Sequence, residues 1–281
     1  MRVGLRLASC AMPALLGFLL AGCATPSWLE TLAFGDKAFG EKAFGEKPSA
    51  DGQDGLMRVA ADIEAHGQVA AALPFYERAA ATSNDATAQL RLGDAYMRGG
   101  KTDQAIQAYR AALAGAPDNP DALLGLGSAL FKSGDPDGAV VALAKAAPIV
   151  KTMSAYNRLG VAQTQAGQFA QAQESFDTAI TLAPDDLDIR TNLALAAALD
   201  GQESKAIEAT RAVVASPGAQ ARHRRNLMIV FGLLGRADEG RAAAPSELSA
   251  AEVKRLLARA TAIRAISDAK ERAKAIGTIM G

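Results

Sequence analysis

Residues 92–117 open with Leu92-Gly93-Asp94-Ala95-Tyr96-Met97-Arg98-Gly99-Gly100 and run through Ala105, Tyr109 and Ala112 to Pro117. This stretch decides the fold because it recurs. Shifted by 34 residues it becomes Leu126-Gly127, Leu130, Gly134, Ala139, Leu143 and Ala146. Shifted by a further 33 it becomes Leu159-Gly160, Gln163, Gly167, Ala172, Phe176, Ala179 and Pro184. A fixed period of this length points to stacked two-helix units and away from a single-cored enzyme.

The spacing has a local cause. Leu92, Gly93 and Tyr96 share one face of a first helix, and Gly100 follows as a stop where a left-handed backbone costs glycine little. Ala105, Tyr109 and Ala112 stand at i, i+4 and i+7, one stripe of a second helix. Small residues at Gly93 and Ala105 let the two backbones approach, and Leu92, Tyr96 and Tyr109 fill the space between units. Pro117 turns the chain toward the next unit.

Weaker copies flank these three. Upstream stand Val59-Ala60, Ile63, Gly67, Ala72, Tyr76 and Ala79; downstream stand Leu193-Ala194, Ala197, Gly201, Ala206 and Val213, then Leu227-Met228, Phe231 and Gly235. The reading places units at about 53–85, 86–119, 120–152, 153–186, 187–220 and 221–245. The order large, small, turn, small, aromatic, small, proline resembles the tetratricopeptide repeat. The resemblance implies an all-α, right-handed solenoid of five to six helix pairs, with a solenoid domain over 53–245 and a C-terminal helical cap over 246–281.

The N-terminus carries an address. Arg2 and Arg6 precede a mainly apolar run from Leu7 to Leu20, which is too short to span a membrane as a helix and reads as a signal segment over 1–22. Leu20-Ala21-Gly22-Cys23 resembles the bacterial lipobox. In that family the chain is cut before the cysteine and the sulfur is lipidated, so Cys23 is the expected lipidation site. Each buried methylene contributes about 0.8 kcal/mol, and two or more acyl chains anchor stably. Ala24 rather than Asp after the cysteine implies, by the same resemblance, the outer membrane, facing the periplasm. The other cysteine, Cys10, lies in the segment expected to be removed, so no disulfide framework is expected.

Residues 33–47 hold a tandem pentapeptide, Ala33-Phe34-Gly35-Asp36-Lys37, Ala38-Phe39-Gly40-Glu41-Lys42 and Ala43-Phe44-Gly45-Glu46-Lys47. A period of five turns about 140° per step on a helix and alternates faces on a strand, so neither element gathers the phenylalanines. Residues 23–52 therefore read as a flexible tether with a span of roughly 30 Å. Alternatively, Trp28 and the phenylalanines dip into the membrane interface or dock a partner.

Charge and chemistry set limits. The sequence has 30 Lys+Arg against 30 Asp+Glu, and without Arg2 and Arg6 the balance is 28 against 30, hence −2. Nucleic acid is not an expected partner. From Gln202 onward 14 Lys+Arg face 8 Asp+Glu, hence +6, and Arg222, Arg224 and Arg225 cluster around His223. That basic patch is either a solvated helix face or a contact for an acidic partner or membrane phosphates. His66 and His223 are the only histidines and fall in different units, so no metal site, no cofactor and no catalytic constellation is expected.

In tetratricopeptide solenoids the first helices line a concave groove. Carried onto this register, the groove candidates are Leu90, Asp94, Met97 and Arg98; then Asp121, Leu124, Ser128, Phe131 and Lys132; then Asn157, Val161, Thr164 and Gln165. Phe131 and Met97, with Arg98 and Lys132 beside them, suit a peptide or helix carrying an apolar anchor and an acidic group; alternatively they pack between units. Leu90 and Asp94 stand where a carboxylate clamp would need Lys and Asn, so that clamp is not expected. Beyond the register, Ser249-x-x-Glu252 reads as a capping box, with Val253, Leu256, Leu257 and Ala260 as an apolar stripe toward Ile263 and Ile266. This segment is read first as a cap and second as a docking helix.

The lipobox, the repeats and the late motifs Arg190-Thr191-Asn192-Leu193-Ala194-Leu195 and Arg225-Asn226-Leu227 together resemble the TadD lipoproteins of tight-adherence (Flp-type) pilus systems. The resemblance implies a non-enzymatic scaffold that binds secretin or pilus assembly components at the outer membrane. The pentapeptide tether does not map to that family. Rival readings are an adaptor for peptidoglycan hydrolases or outer-membrane protein insertion and, in another class, a cell-wall enzyme.

Overall fold

In the computed structural model the described residues are 52–82 and 85–280. The expected signal segment, Cys23 and the tether as far as Asp51 lie outside them. Among the described residues there are fourteen α-helices and no strand. Six pairs come first: α1 (Gln53–Ala65) with α2 (Val69–Thr82), α3 (Ala86–Arg98) with α4 (Thr102–Gly115), α5 (Pro120–Lys132) with α6 (Pro136–Val150), α7 (Met153–Gln165) with α8 (Phe169–Leu182), α9 (Leu187–Leu199) with α10 (Glu203–Val214), and α11 (Ala221–Leu233) with α12 (Ala237–Ala243). Two further helices follow, α13 (Ala250–Arg264) and α14 (Ala269–Met280). The repeat expectation holds: the chain is an all-helical solenoid.

Each pair is closed by the glycine that the sequence put at its turn. Gly67, Gly100, Gly134, Gly167, Gly201 and Gly235 all have positive φ, between 72° and 86°. At Gly100 the reversal lets Lys101 N–H reach back to the Tyr96 carbonyl at 2.8 Å, which satisfies an otherwise unpaired helix-end acceptor. Side chains begin the next first helix: Asp85, Asn119, Thr152 and Asp186 each accept a backbone N–H at the N-cap.

Packing follows the small–large code. A methyl group on Gly160 would stand 2.6 Å from the Phe176 ring, and one on Gly93 2.7 Å from the Tyr109 ring. These first helices therefore lie directly against the aromatic residue of their second helix. Ala105, Ala139, Ala172 and Ala206, one per unit, are wholly buried at the same seam. Phe176, Leu143 and Ile189 are sealed between units, each stabilising by about 1.5–3 kcal/mol on burial.

The regular stacking changes after α10. The connection 215–220 contains Pro217 and Gly218, and α11 packs against α13, α12 and α9, with little contact to α10. Leu227 to Leu233 is buried at every position, so the C-terminal half of α11 is enclosed on all sides. The capping box at Ser249 forms, and Val253, Leu256, Leu257, Ala260 and Ile263 are buried beneath α13. The helix stops at Arg264, and after a break at 265–268 α14 turns back to lie on α7 and α9.

Candidate partner-binding groove

Along the first helices of the second to fourth units runs an open hollow of about 730 Å³. It is lined by Leu90, Asp94 and Met97 from α3, by Asp121, Leu124, Ser128 and Phe131 from α5, and by Asn157 and Val161 from α7. All nine are groove candidates of the sequence register. Phe131 is 36% exposed and Leu90 8%, so the phenylalanine offers its ring to the hollow while the leucine contributes only an edge.

The remaining four candidates lie elsewhere. Arg98 turns away to pair with Glu64 of α1, with Nη2 donating to Oε2 at 2.8 Å, and lines a separate recess with Tyr76 and Arg58. Lys132 is exposed at the end of α5, outside the hollow. Thr164 is buried and its hydroxyl donates to the Gly160 carbonyl at 2.8 Å. Thr164 and Gln165 line a smaller hollow of about 150 Å³ with Phe176, Asn192, Leu195 and Ile276. Val161 borders both hollows, so the concave face is continuous.

Five lining residues escaped the sequence reading: Arg91, Gly125, Arg158, Tyr109 and Leu143. Arg91, Gly125 and Arg158 share one register position, immediately before the repeating leucine, 34 and 33 residues apart. The signal was present but attached to no known groove position. Tyr109 and Leu143 belong to second helices, α4 and α6, and reach the floor because glycines above them leave no side chain in the way.

The polar groups are tied to one another. Tyr109 donates its hydroxyl to Asp94 at 2.8 Å, and burial, followed by that carboxylate, pushes its pKa far up. Arg91 lies 3.9 Å from Asp94. Arg158 donates to the Ser128 hydroxyl at 3.1 Å, which in turn donates to the Leu124 carbonyl at 2.8 Å. The result is an apolar trough with a guanidinium on each side of Gly125 and the Asp121 carboxylate exposed at its edge. Such a surface fits an extended or helical segment with an apolar anchor and flanking charges of both signs.

The basic cluster is partly neutralised within the chain. Arg222 grips both oxygens of Asp188 at 3.0 Å, and this holds the Asp188 carboxyl below its ordinary range. His223 is 3% exposed; its Nδ1 accepts the Gln220 N–H at 2.9 Å, so Nε2–H donates to Asp188 at 2.8 Å. Arg224 is exposed and Arg225 half-buried.

The tetratricopeptide-repeat profile matches residues 90–155 and 157–220. Within residues 90–220 the helix pairs are tetratricopeptide repeats. No curated protein matches the chain. Among solved structures, YrrB, described as a tetratricopeptide-repeat protein with an unusual peptide-binding site, is 22% identical, covering 60% of this chain and 89% of that one at a TM-score of 0.56. A MamA structure is 27% identical over 60% of this chain and 93% of its own, at a TM-score of 0.54. PilF of Pseudomonas aeruginosa is 18% identical over 73% of this chain and 91% of its own, at a TM-score of 0.53. At these identities YrrB and PilF speak for the shared solenoid fold.

Proposed function

We propose that this tetratricopeptide-repeat protein is a non-enzymatic scaffold, lipidated at Cys23 and held at the periplasmic side of the outer membrane, whose concave hollow holds a component of a tight-adherence (Flp-type) pilus or secretin apparatus. The observation that carries the binding reading is Phe131, a large apolar side chain 36% exposed within a continuous trough that its own neighbours leave open. The lipobox and the Arg/Asn-Leu motifs support the address and the pilus assignment. YrrB's peptide-binding site and PilF's solenoid are consistent with a scaffold of this kind.

The test is co-isolation from detergent-solubilised membranes. The wild-type chain is expected to bring down secretin or pilus assembly proteins. Phe131→Glu should cut that capture by about tenfold or more, as loss of a buried anchor does, while far-ultraviolet circular dichroism is unchanged. Unfolding by Phe131→Glu would make the residue core and remove the groove reading; hydrolases or insertion factors in place of pilus proteins would overturn the pilus assignment. Acyl-chain labelling that survives Cys23→Ser would remove the anchor.

A further inference from the structure

The concave face does not stay open along its length. Beyond Val161 it is occupied by the chain's own last helix, α14, seated on α7 and α9. Four sets of contacts hold it there. Arg259 of α13 donates to the Thr278 hydroxyl at 2.9 Å. Lys270 Nζ lies 2.7 Å from Asp137 of α6, an exposed pair. The Arg272 guanidinium stacks 5.4 Å above the Phe169 ring. Ala273 and Ile276 are buried, and Ile276 points toward Val161, Thr164, Gln165, Asn192 and Leu195. The first residues of α14 run close enough to the α7–α8 turn that a methyl group on Gly167 would stand 2.9 Å from the Ala269 and Lys270 backbone.

Several features mark this occupant as replaceable. Beside Ile276 an open hollow of about 150 Å³ remains, lined by Val161, Phe176 and Leu195 together with the polar side chains of Thr164, Gln165 and Asn192. Gly277 lies inside α14 and weakens it as a helix. The break at 265–268 separates α14 from α13; Asp268 caps α14 by accepting the Glu271 N–H at 2.8 Å, and Arg272 donates to the Ile266 and Ser267 carbonyls at 2.7 and 2.9 Å, so α14 and the break form one unit that can leave together.

We propose that the α7–α9 stretch is a second binding surface and that α14 is a resident stand-in for an incoming amphipathic helix, which displaces it. This extends the reading of the concave face as a binding surface and rests on it. The partner helix carries a small residue and a bulky aliphatic or aromatic residue three positions apart, in the places of Ala273 and Ile276, with a Lys or Arg near its N-terminal end to meet Asp137. A residue larger than isoleucine fills the hollow that α14 leaves, which is how the newcomer outcompetes a segment already tethered.

The experiment uses the purified full chain in detergent and a fluorescent synthetic peptide of residues 266–280. Ile276→Asp in the chain, which releases its own α14, should raise peptide affinity at least tenfold over the unsubstituted chain. The peptide carrying I276D should bind neither, and the peptide carrying I276F should bind more tightly than the native one. A charge swap avoids any unfolding of the I276D chain: a chain with Asp137→Lys should prefer the K270E peptide to the native one. Equal peptide binding with and without a free α14, or no charge-swap preference, overturns the inference. So does sedimentation showing a dimer in which two copies exchange α14. Loss of peptide binding while Phe131-dependent partner capture persists removes this inference alone; loss of both removes the concave-face reading.

Discussion

Tyr76, Tyr96 and Tyr109 do the same job in three successive helices. Each hydroxyl donates to a carboxylate on the preceding helix, Glu64 at 3.0 Å, Glu77 at 2.9 Å and Asp94 at 2.8 Å. Burial is the first cause, and the adjacent carboxylate the second, of phenol pKa values pushed up to about 12 for Tyr76 and Tyr96 and further for Tyr109. The unfolded value is 10.0, so the folded state holds these protons more tightly. Their contribution is fully present below pH 10 and is lost as pH rises through the folded values. Denaturant unfolding at stepped pH should show stability falling between pH 10 and pH 12. Tyr109→Phe should flatten that fall, and an unchanged slope would mean the phenol is not coupled to folding. Tyr109 also explains one gap in the sequence reading. Its place in the second-helix stripe marks it as core, which it is at 2% exposed, yet Gly125 opens its hydroxyl edge to the hollow.

Among elements, the glycine stops of the helix pairs and the capping box at Ser249 were the most legible features. They depend on residues close in sequence: a cap that accepts a nearby N–H and a glycine that takes positive φ. Asn119 is a cap of the same local kind that the sequence reading did not name, its side chain accepting the Ala122 N–H at 3.0 Å ahead of Pro120. Asn119→Ala should lower stability by about 1 kcal/mol, within a range of roughly 0.5–2, read as a shifted denaturation midpoint with unchanged slope; a neutral result would mean water replaces the cap. The fold-back of α14 was not legible. It depends on Lys270 meeting Asp137 across 133 residues and on a break after Ala265 that interrupts a stripe still apolar at Ile266. Periodicity reports which face of a helix is apolar, and it is silent on which distant surface covers that face. The groove divides the same way: register placed Phe131 and Val161, whereas the side-chain reach that takes Arg98 to Glu64 is set by a neighbour in another unit.

Over the whole molecule, a central unit packs on a neighbour at each side and a terminal one at a single side, so a central defect should spread further than a terminal one. Leu143 is 1% exposed in the middle of the array, and Leu56 is 4% exposed at its first helix. Leu143→Ala should cost about 2–5 kcal/mol and lower amide-exchange protection in α3 through α8. Leu56→Ala should loosen α1 and α2 and leave the later units protected. Equal, global loss in both variants would mean that the array unfolds as one cooperative block.

The enclosure of α11 has a consequence for the chain before it is folded. Leu227-Met228-Ile229-Val230-Phe231-Gly232-Leu233-Leu234 is uncharged and contains no proline, and in the finished protein α9, α12 and α13 hide it. Two of those three covers are made from residues that follow it in the chain. An emerging or partly unravelled polypeptide therefore displays a strongly self-associating segment until α12 and α13 are in place. Truncations that remove α13 should consequently yield aggregates rather than a shorter soluble array, and quality control in the cell has most reason to grip the chain at this point.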